Sequence, residues 1–474
     1  MSLELSPMGV TCNLSCPYCY EHPMREAGNF LAGDAKKPYD VDLMIESLSK
    51  HNSRFSLFGG EPLLTAIEDL EKIWKWGYDR YQFNGIQTNG TLITDQHIEL
   101  FKKYKVHVGI SVDGPDELND TRWAGSLENT RKRTAMSMRA IDRLLEEGHI
   151  PSFIVTLHKL NASPERLPRL KDWFREMDRR GVYSSRLHPL EIEYSGIGDT
   201  LALSPERNAQ VMLEMAELEL SLKNLKFDLF GDMKKILLGQ DNDVTCTFHN
   251  CDPYTTDAVQ GVDGMGNLGN CGRSNKEGID FIKSEQRGYE RQMALYHTPQ
   301  EHGGCKDCRF FIMCKAQCPG TGINQDWRNR TDGCLMFYTL FEHFEKDYLS
   351  KGILPLSQSP ILKKLEQTMY DFWAQGQRAE IDRGAFKIIN NQPTTGSYQE
   401  HGDHYDENYR KHGDHTDETM NFPSPEIEYR EHGDQHGDAP HGDHTDETMR
   451  FPAPTGHQGS EHGDHTDETM NFPA

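Results

Sequence analysis

Eleven cysteines, and where they stand, constrain this chain more than any other feature. Three crowd into TCNLSCPYCY near the N-terminus and eight lie between residues 246 and 334. The opening MSLELSPMGVTC has neither the charged nor the apolar region of a secretion signal. No apolar run approaches the roughly 20 residues needed to span a bilayer. A cytoplasmic, reducing location is therefore expected, and cysteines at short fixed spacings there are metal ligands or reactive thiols rather than disulfide partners.

Strand-length apolar segments alternate with helical periodicity from the start. Strands are expected at Leu3–Met8, Phe55–Phe58, Gly85–Thr88, Val106–Val112, Phe153–Leu157 and Leu187–Glu193. Between them, Asp42–Lys50, Leu64–Tyr78, Asp95–Tyr104, Arg131–Glu147 and Pro164–Arg180 carry apolar residues at i, i+3, i+4 spacing. Repeated β–α units predict an α/β fold whose parallel sheet curls toward a barrel over residues 1–200, with its chemistry in the loops after the strands. A helical connector follows at 201–245, then a Cys- and Gly-rich region at 246–350 whose short segments need metal to bury much. A helix and linker occupy 351–399, and the chain from 400 to 474 is repetitive.

Cys12, Cys16 and Cys19 form C-x3-C-x2-C directly after the first expected strand. Three thiolates on one loop can hold three irons of a four-iron cluster and leave the fourth open to a small ligand. A zinc site is the competing reading, but zinc takes a closed tetrahedron and no fourth ligand is spaced for it. The motif, with aromatic Tyr18 before the last cysteine, resembles the signature of the radical S-adenosylmethionine (SAM) superfamily. That resemblance implies a partial (β/α)6 TIM-like barrel. It also implies an open iron that chelates S-adenosylmethionine and a 5′-deoxyadenosyl radical made from it by one electron. Gly59-Gly60-Glu61-Pro62 resembles the family's GGEP turn, in which exposed backbone and the carboxylate hold the methionine ammonium. Glycine permits that close backbone approach. Asn89 and Ser111, at the ends of the third and fourth strands, resemble cofactor-pocket positions; each is also an ordinary polar cap.

The other eight cysteines read Cys246, then Cys251-x14-Gly266-x4-Cys271, Cys305-x2-Cys308-x5-Cys314-x3-Cys318 and Cys334. The pattern closely resembles the SPASM extension of radical SAM peptide-modifying enzymes, including ribosomal-peptide and anaerobic sulfatase maturases. By resemblance, Cys246, Cys251, Cys271 and Cys318 hold a first auxiliary [4Fe-4S] cluster, and Cys305, Cys308, Cys314 and Cys334 a second. The total is three [4Fe-4S] clusters plus S-adenosylmethionine. Paired zinc ribbons are the alternative. Sulfatase-maturing relatives place a catalytic Asp just after the third of these cysteines, whereas Gly272 stands here; no catalytic base is assigned.

The tail repeats HGDHTDETMNFP at His412–Pro423 and His462–Pro473, with HGDHTDETMRFP at His441–Pro452. Residues 400–474 hold 11 of the 22 His and no Cys, with 19 acidic against 4 basic side chains. Few apolar residues and high charge predict disorder. An acidic chain also argues against nucleic acid or anionic membrane as partner. Short units repeated side chain by side chain resemble core segments of ribosomal peptide precursors, so the expected substrate is the chain's own tail, at high effective concentration through tethering. His-x-Asp occurs ten times. By analogy with three-residue cyclophanes, the favoured product joins an Asp β-carbon to the imidazole two residues earlier, with an auxiliary cluster taking the leftover electron and a low-potential flavodoxin or ferredoxin as donor. Competing readings are a sulfatase-maturase-like enzyme acting on a separate protein, a peptide epimerase, and a tail that only binds metal or links.

Overall fold

The computed structural model describes residues 3–26, 28, 37–51, 53–191, 195–252, 260–274 and 288–390. Everything expected of the repetitive tail falls outside them.

Six parallel strands follow one another in chain order: β1 (Leu3–Ser6), β2 (Phe55–Leu57), β3 (Asn84–Thr88), β4 (Val106–Ser111), β5 (Ser152–Leu157) and β6 (Ser184–Pro189). Helices cross between neighbours, as parallel pairing requires. Inward residues such as Leu5, Leu57, Val108, Ile110 and Val155 are wholly buried against the helices Ile67–Tyr81, Leu127–Glu146 and Leu167–Arg179. Capping residues start several helices where the sequence supplies them: Thr94 before Asp95, Ser126 before Leu127 and Ser204 before Pro205.

The sixth strand begins three residues earlier than expected and stops at Pro189 instead of Glu193. Its first residues are polar, so hydropathy hides them, yet Ser185 is buried opposite Phe153 in the sheet. Three further strands escape the sequence pattern because they are short and polar: β7 (Lys226–Phe227), β8 (Gln260–Asp263) and β9 (Leu268–Asn270). β7 adds to β6, while β8 pairs parallel with β1 and forms a hairpin with β9, giving the order β7-β6-β5-β4-β3-β2-β1-β8-β9. The Asp263 carboxylate closes that hairpin by accepting the Met265 and Asn267 N–H groups. Cys271 follows β9 directly, so the first segment of the Cys-rich region is an extension of the barrel's own sheet. The unexpected helix Cys334–Ser350 buries Met336, Phe337, Leu340, Phe341 and Phe344 and packs on Pro205–Ser221. Among the described residues no helix is long and apolar enough to cross a membrane.

The β1–β8 seam is tight at Gly264, where a Cβ would lie 2.3 Å from the Pro7 carbonyl oxygen. Gly264→Ala is expected to cost about 1–3 kcal/mol and to lower the apparent melting temperature by roughly 2–4 °C for each of them. Gly231→Ala, in a helix where the added methyl meets nothing within 4 Å, should leave it unchanged or slightly higher in the same thermal scan.

Candidate functional site

The motifs gather at one rim because each follows the C-terminal end of a parallel strand. The cysteine loop follows β1, Gly59 and Gly60 follow β2, Asn89 follows β3, Asp113 follows β4 and His158 follows β5. The loop is tied down on several sides. Glu61 N–H donates to the Thr11 carbonyl at 2.8 Å, Ser15 N–H to the Trp123 carbonyl at 2.7 Å, and the Arg25 guanidinium to the Leu14 carbonyl at 3.3 Å.

Both glycines of the GGEP turn have left-handed backbone, at φ +74° and +45°, and a Cβ on Gly60 would sit 2.1 Å from the Thr11 carbonyl oxygen. Close approach is therefore needed first between two pieces of protein. Glu61 is fully buried, its carboxylate accepting Leu63 N–H at 3.1 Å, Thr88 Oγ1 at 2.7 Å and Asn89 N–H at 2.8 Å. It thus braces the ends of β2 and β3, leaving the half-buried glycine backbone at the rim. The Asn89 amide reaches back to the loop, with Nδ2 2.8 Å from Asn13 Oδ1 and 3.9 Å from Cys12 Sγ. Ser111 Oγ accepts Gln87 Nε2 at 2.8 Å.

Under the loop lies a charged network that the sequence did not announce. Buried Asp113 accepts hydrogen bonds from Tyr18 Oη, from Arg122 Nη2 at 2.9 Å and from Thr156 N–H at 3.0 Å. His158 Nε2 is 3.5 Å from the same carboxylate, and Nδ1 accepts the Leu160 N–H, which places the neutral ring's proton on the Nε2 side. Burial alone would raise the Asp113 carboxyl, but the Arg122 guanidinium and the His158 and Tyr18 contacts hold it well below the usual carboxylate range. Tyr18, the aromatic of the cysteine motif, is thereby a strut between the loop and β4.

Of the three loop cysteines, Cys16 is buried and Cys12 and Cys19 are half-buried. Burial pushes Cys12 up to about 12 and raises Cys16 and Cys19 as well, with Cys16 opposing the ionisation of both its neighbours. The eight remaining thiols fall into two groups. Beyond burial, Cys251 is raised by Cys271, Cys318 and Cys246, whereas Cys314 is raised by Cys334, Cys305 and Cys308. Cys246, Cys271 and Cys318 thus act on Cys251, and Cys305, Cys308 and Cys334 on Cys314. Among the described residues no group of three Cys, His, Asp or Glu side chains is arranged to hold a single metal ion. Buried thiols that resist ionising alone fit a polynuclear iron centre, whose positive charge makes thiolates of them.

A seam of charge joins the two regions. Gly272 N–H donates to Glu4, and the Glu4 and Glu21 carboxyls, desolvated by burial, are each pushed up to about 7. Glu21 accepts the Gly60 N–H at 2.9 Å. Beside this seam a cavity of about 240 Å³ opens at the end of β6, walled by Arg186, His188 and Glu191 on one side and Cys246, Arg273 and Cys318 on the other. Arg273 pairs with Glu191 and donates from Nη2 to His188 Nδ1 at 2.7 Å; Arg186 Nε lies 2.6 Å from Asp228 Oδ2. Burial and the two arginines lower His188 well below its ordinary value. Arg122, His158, Glu21 and Arg273 carried no spacing signal, since a buried ionisable residue in a loop is written like an exposed one.

Two substitutions probe the loop's supports. Gly60→Ala should abolish the S-adenosylmethionine-dependent change in the electron paramagnetic resonance (EPR) spectrum of the reduced protein, by displacing Thr11. Asp113→Asn leaves Arg122 buried without its counter-charge and should cost about 3–5 kcal/mol, read by thermal melting. Because the Asp113 carboxyl is depressed by folding, its stabilisation is complete above roughly pH 4 and fades on acidification, so the variant should show the shallower loss of stability in acid.

The radical SAM superfamily profile matches residues 6–170. The chain is 24% identical over 362 residues to a cysteine-type anaerobic sulfatase-maturating enzyme of Clostridium perfringens, covering 67% of this chain and 88% of that protein. It is 23% identical over 407 residues to the serine-type enzyme of Bacteroides thetaiotaomicron, covering 76% and 94%. Among solved structures, native anSMEcpe with bound AdoMet superposes with a TM-score of 0.55 at 19% identity, covering 74% of this chain and 98% of the other. The same protein with AdoMet and the Cp18Cys peptide gives 0.54 at 18% identity, with the same coverage. The fold is therefore the partial barrel of that solved structure, and residues 6–170 form a radical SAM domain, which makes the chain an enzyme.

Proposed function

We propose that this enzyme is a peptide maturase with three [4Fe-4S] clusters, and that its own residues 400–474 are its substrate. The carrying observation is the grouping of buried thiols into three, four and four, with a cavity between the strand ends and the second group. Cys12, Cys16 and Cys19 would hold the cluster that leaves an iron for S-adenosylmethionine. Cys246, Cys251, Cys271 and Cys318 would hold the first auxiliary cluster, and Cys305, Cys308, Cys314 and Cys334 the second. When bound, the first cluster supplies the electron that turns S-adenosylmethionine into a source of carbon-centred radical.

The chain's own residues do the positioning. The backbone of Gly59 and Gly60, with Asn89 and Ser111, borders the S-adenosylmethionine site, while Glu61 and the Asp113 network keep that border in place. Enclosure by β-strand ends excludes water from a reactive intermediate. The cavity is smaller than the roughly 300–1,000 Å³ of typical ligand sites, which suits one or two side chains of an extended peptide and not a folded partner. The relative crystallised with a bound peptide supports a substrate of that class. In the tail, the reading favours a bond from an Asp β-carbon to the imidazole two residues earlier, with net loss of two hydrogens.

The relatives' names keep sulfatase maturation as the second reading. Against it, a side chain at position 272 would meet the Tyr20 ring, with a Cβ 2.9 Å from Cε2, so the acid that the resemblance places there has no room.

Anaerobically reconstituted enzyme should contain about twelve irons, and the Cys12, Cys16 and Cys19→Ala variant about eight. Coexpressed in anoxic cells, the native tail should weigh less than the tail of that variant by two hydrogens per crosslink, with tandem mass spectrometry placing each loss on a His-x-Asp unit. Identical tail masses overturn the crosslink. Deuterium uptake from solvent at unchanged sequence would instead indicate epimerisation, and oxidation of a sulfatase-derived Cys or Ser peptide with an untouched tail would transfer the assignment to sulfatase maturation.

A further inference from the structure

The helix Glu290–His297 touches both groups of four thiols: its Leu295 carbonyl accepts the Cys305 N–H at 2.7 Å, and its Arg291 donates to the two carbonyls that precede Cys318. Arg291, in the helix Glu290–His297, is 1% exposed. Its Nε donates to the Trp327 carbonyl at 2.6 Å, Nη1 to Gln317 at 3.3 Å, and Nη2 to Asn329 at 3.0 Å and Ala316 at 3.4 Å. Two of those carbonyls immediately precede Cys318. Neutral carbonyls satisfy the donors but do not neutralise the charge, and among the described residues no carboxylate forms an ion pair with this side chain. Burial disfavours its charged form; the opposing influences are Cys251, Cys318 and Cys305, followed by Asp252. Cys251 and Cys318 belong to one foursome and Cys305 to the other. The neighbouring arginines are one-sided by comparison: Arg186 and Arg273 sit beside Cys246, and Arg309 and Arg330 beside Cys308.

A buried, permanently charged group with no carboxylate partner is expensive unless other anions face it. A four-iron cluster ligated by four thiolates is such an anion, and it becomes a stronger one on accepting an electron. We propose that Arg291 is the shared counter-charge of the two auxiliary clusters, a positioning residue whose fixed charge favours the reduced form of both. The inference rests on the assignment of the eight cysteines to two clusters and on no particular substrate. Its consequence for the reaction is that either centre receives an electron more readily than four thiolates in an apolar pocket would allow.

The test is an EPR-monitored redox titration of the full-length chain carrying Cys12, Cys16 and Cys19→Ala, so that only the auxiliary clusters report. Arg291→Gln and Arg291→Met should shift both midpoints to more negative potential. At a fixed potential the reduced fraction relative to oxidised should fall at least tenfold, which is 59 mV for one electron. Arg291→Lys, which keeps the charge and loses the forked geometry, should stay within that margin. Shifts confined to one cluster, equal shifts in Lys and Gln variants, or no shift with iron intact would overturn the proposal. Iron lost from both neutral variants and kept by the Lys variant supports it, because charge is then the requirement. Iron lost from all three shows a steric brace and overturns it. A parent variant with fewer than about eight irons removes the cluster assignment itself, which separates that failure from a failure of Arg291 alone.

Discussion

Eleven thiols gathered at short spacings, two of them buried and nine half-buried, set the terms for everything else in this protein. A thiol in an apolar setting stays protonated, and several placed together oppose one another's ionisation. Cationic metal is what makes such a cluster of sulfurs favourable. The first loop obeys the same rule but has a different support. Its sulfurs are carried by a rim already built from strand ends, in which Gly60 lets two turns touch and Glu61 binds the ends of β2 and β3 together.

The barrel and the auxiliary region are not independent pieces joined by a tether. β8 extends the barrel's sheet at β1, and the hairpin it starts delivers Cys271 to the neighbourhood of Glu4, Tyr20 and Glu21. The cavity beside that seam has walls from both regions. Its lining sets Arg186, His188 and Glu191 at the end of β6 beside Cys246, Arg273 and Cys318.

Charge is distributed to match. The chain is strongly acidic as a whole, yet arginines and a lysine gather behind the sulfurs: Arg122 near Cys16, Arg273 near Cys246 and Cys318, Arg330 near Cys334, and Lys315, paired with Asp241, beside Cys314 in the chain. Arg122, Arg273 and Arg330 each favour the thiolate form of a neighbouring cysteine against burial, whereas Lys315 is balanced by Asp241. Two outwardly minor residues of the motifs also have defined contacts: Tyr18 is hydrogen-bonded to Asp113, and Gly272 lies against the Tyr20 ring.

Ligand intervals and apolar periodicity are local and survive in a string of letters, so the cysteine motifs and the succession of β–α units were legible from spacing alone. Five of the six barrel strands were legible within a few residues for that reason, and the sixth only in its second half, because Ser184–Arg186 at its start are polar yet built into the sheet. Tertiary structure decided the rest. The β8–β9 hairpin has too little apolar content to be seen without β1 beside it. Glu61 could be recognised as a motif residue, but that its carboxylate faces the protein depends on where β3 ends. Asp113, Arg122, His158 and Arg291 acquire their roles only when segments far apart in the chain exclude water around them, since burial is what turns an ordinary ionisable side chain into a fixed charge with consequences.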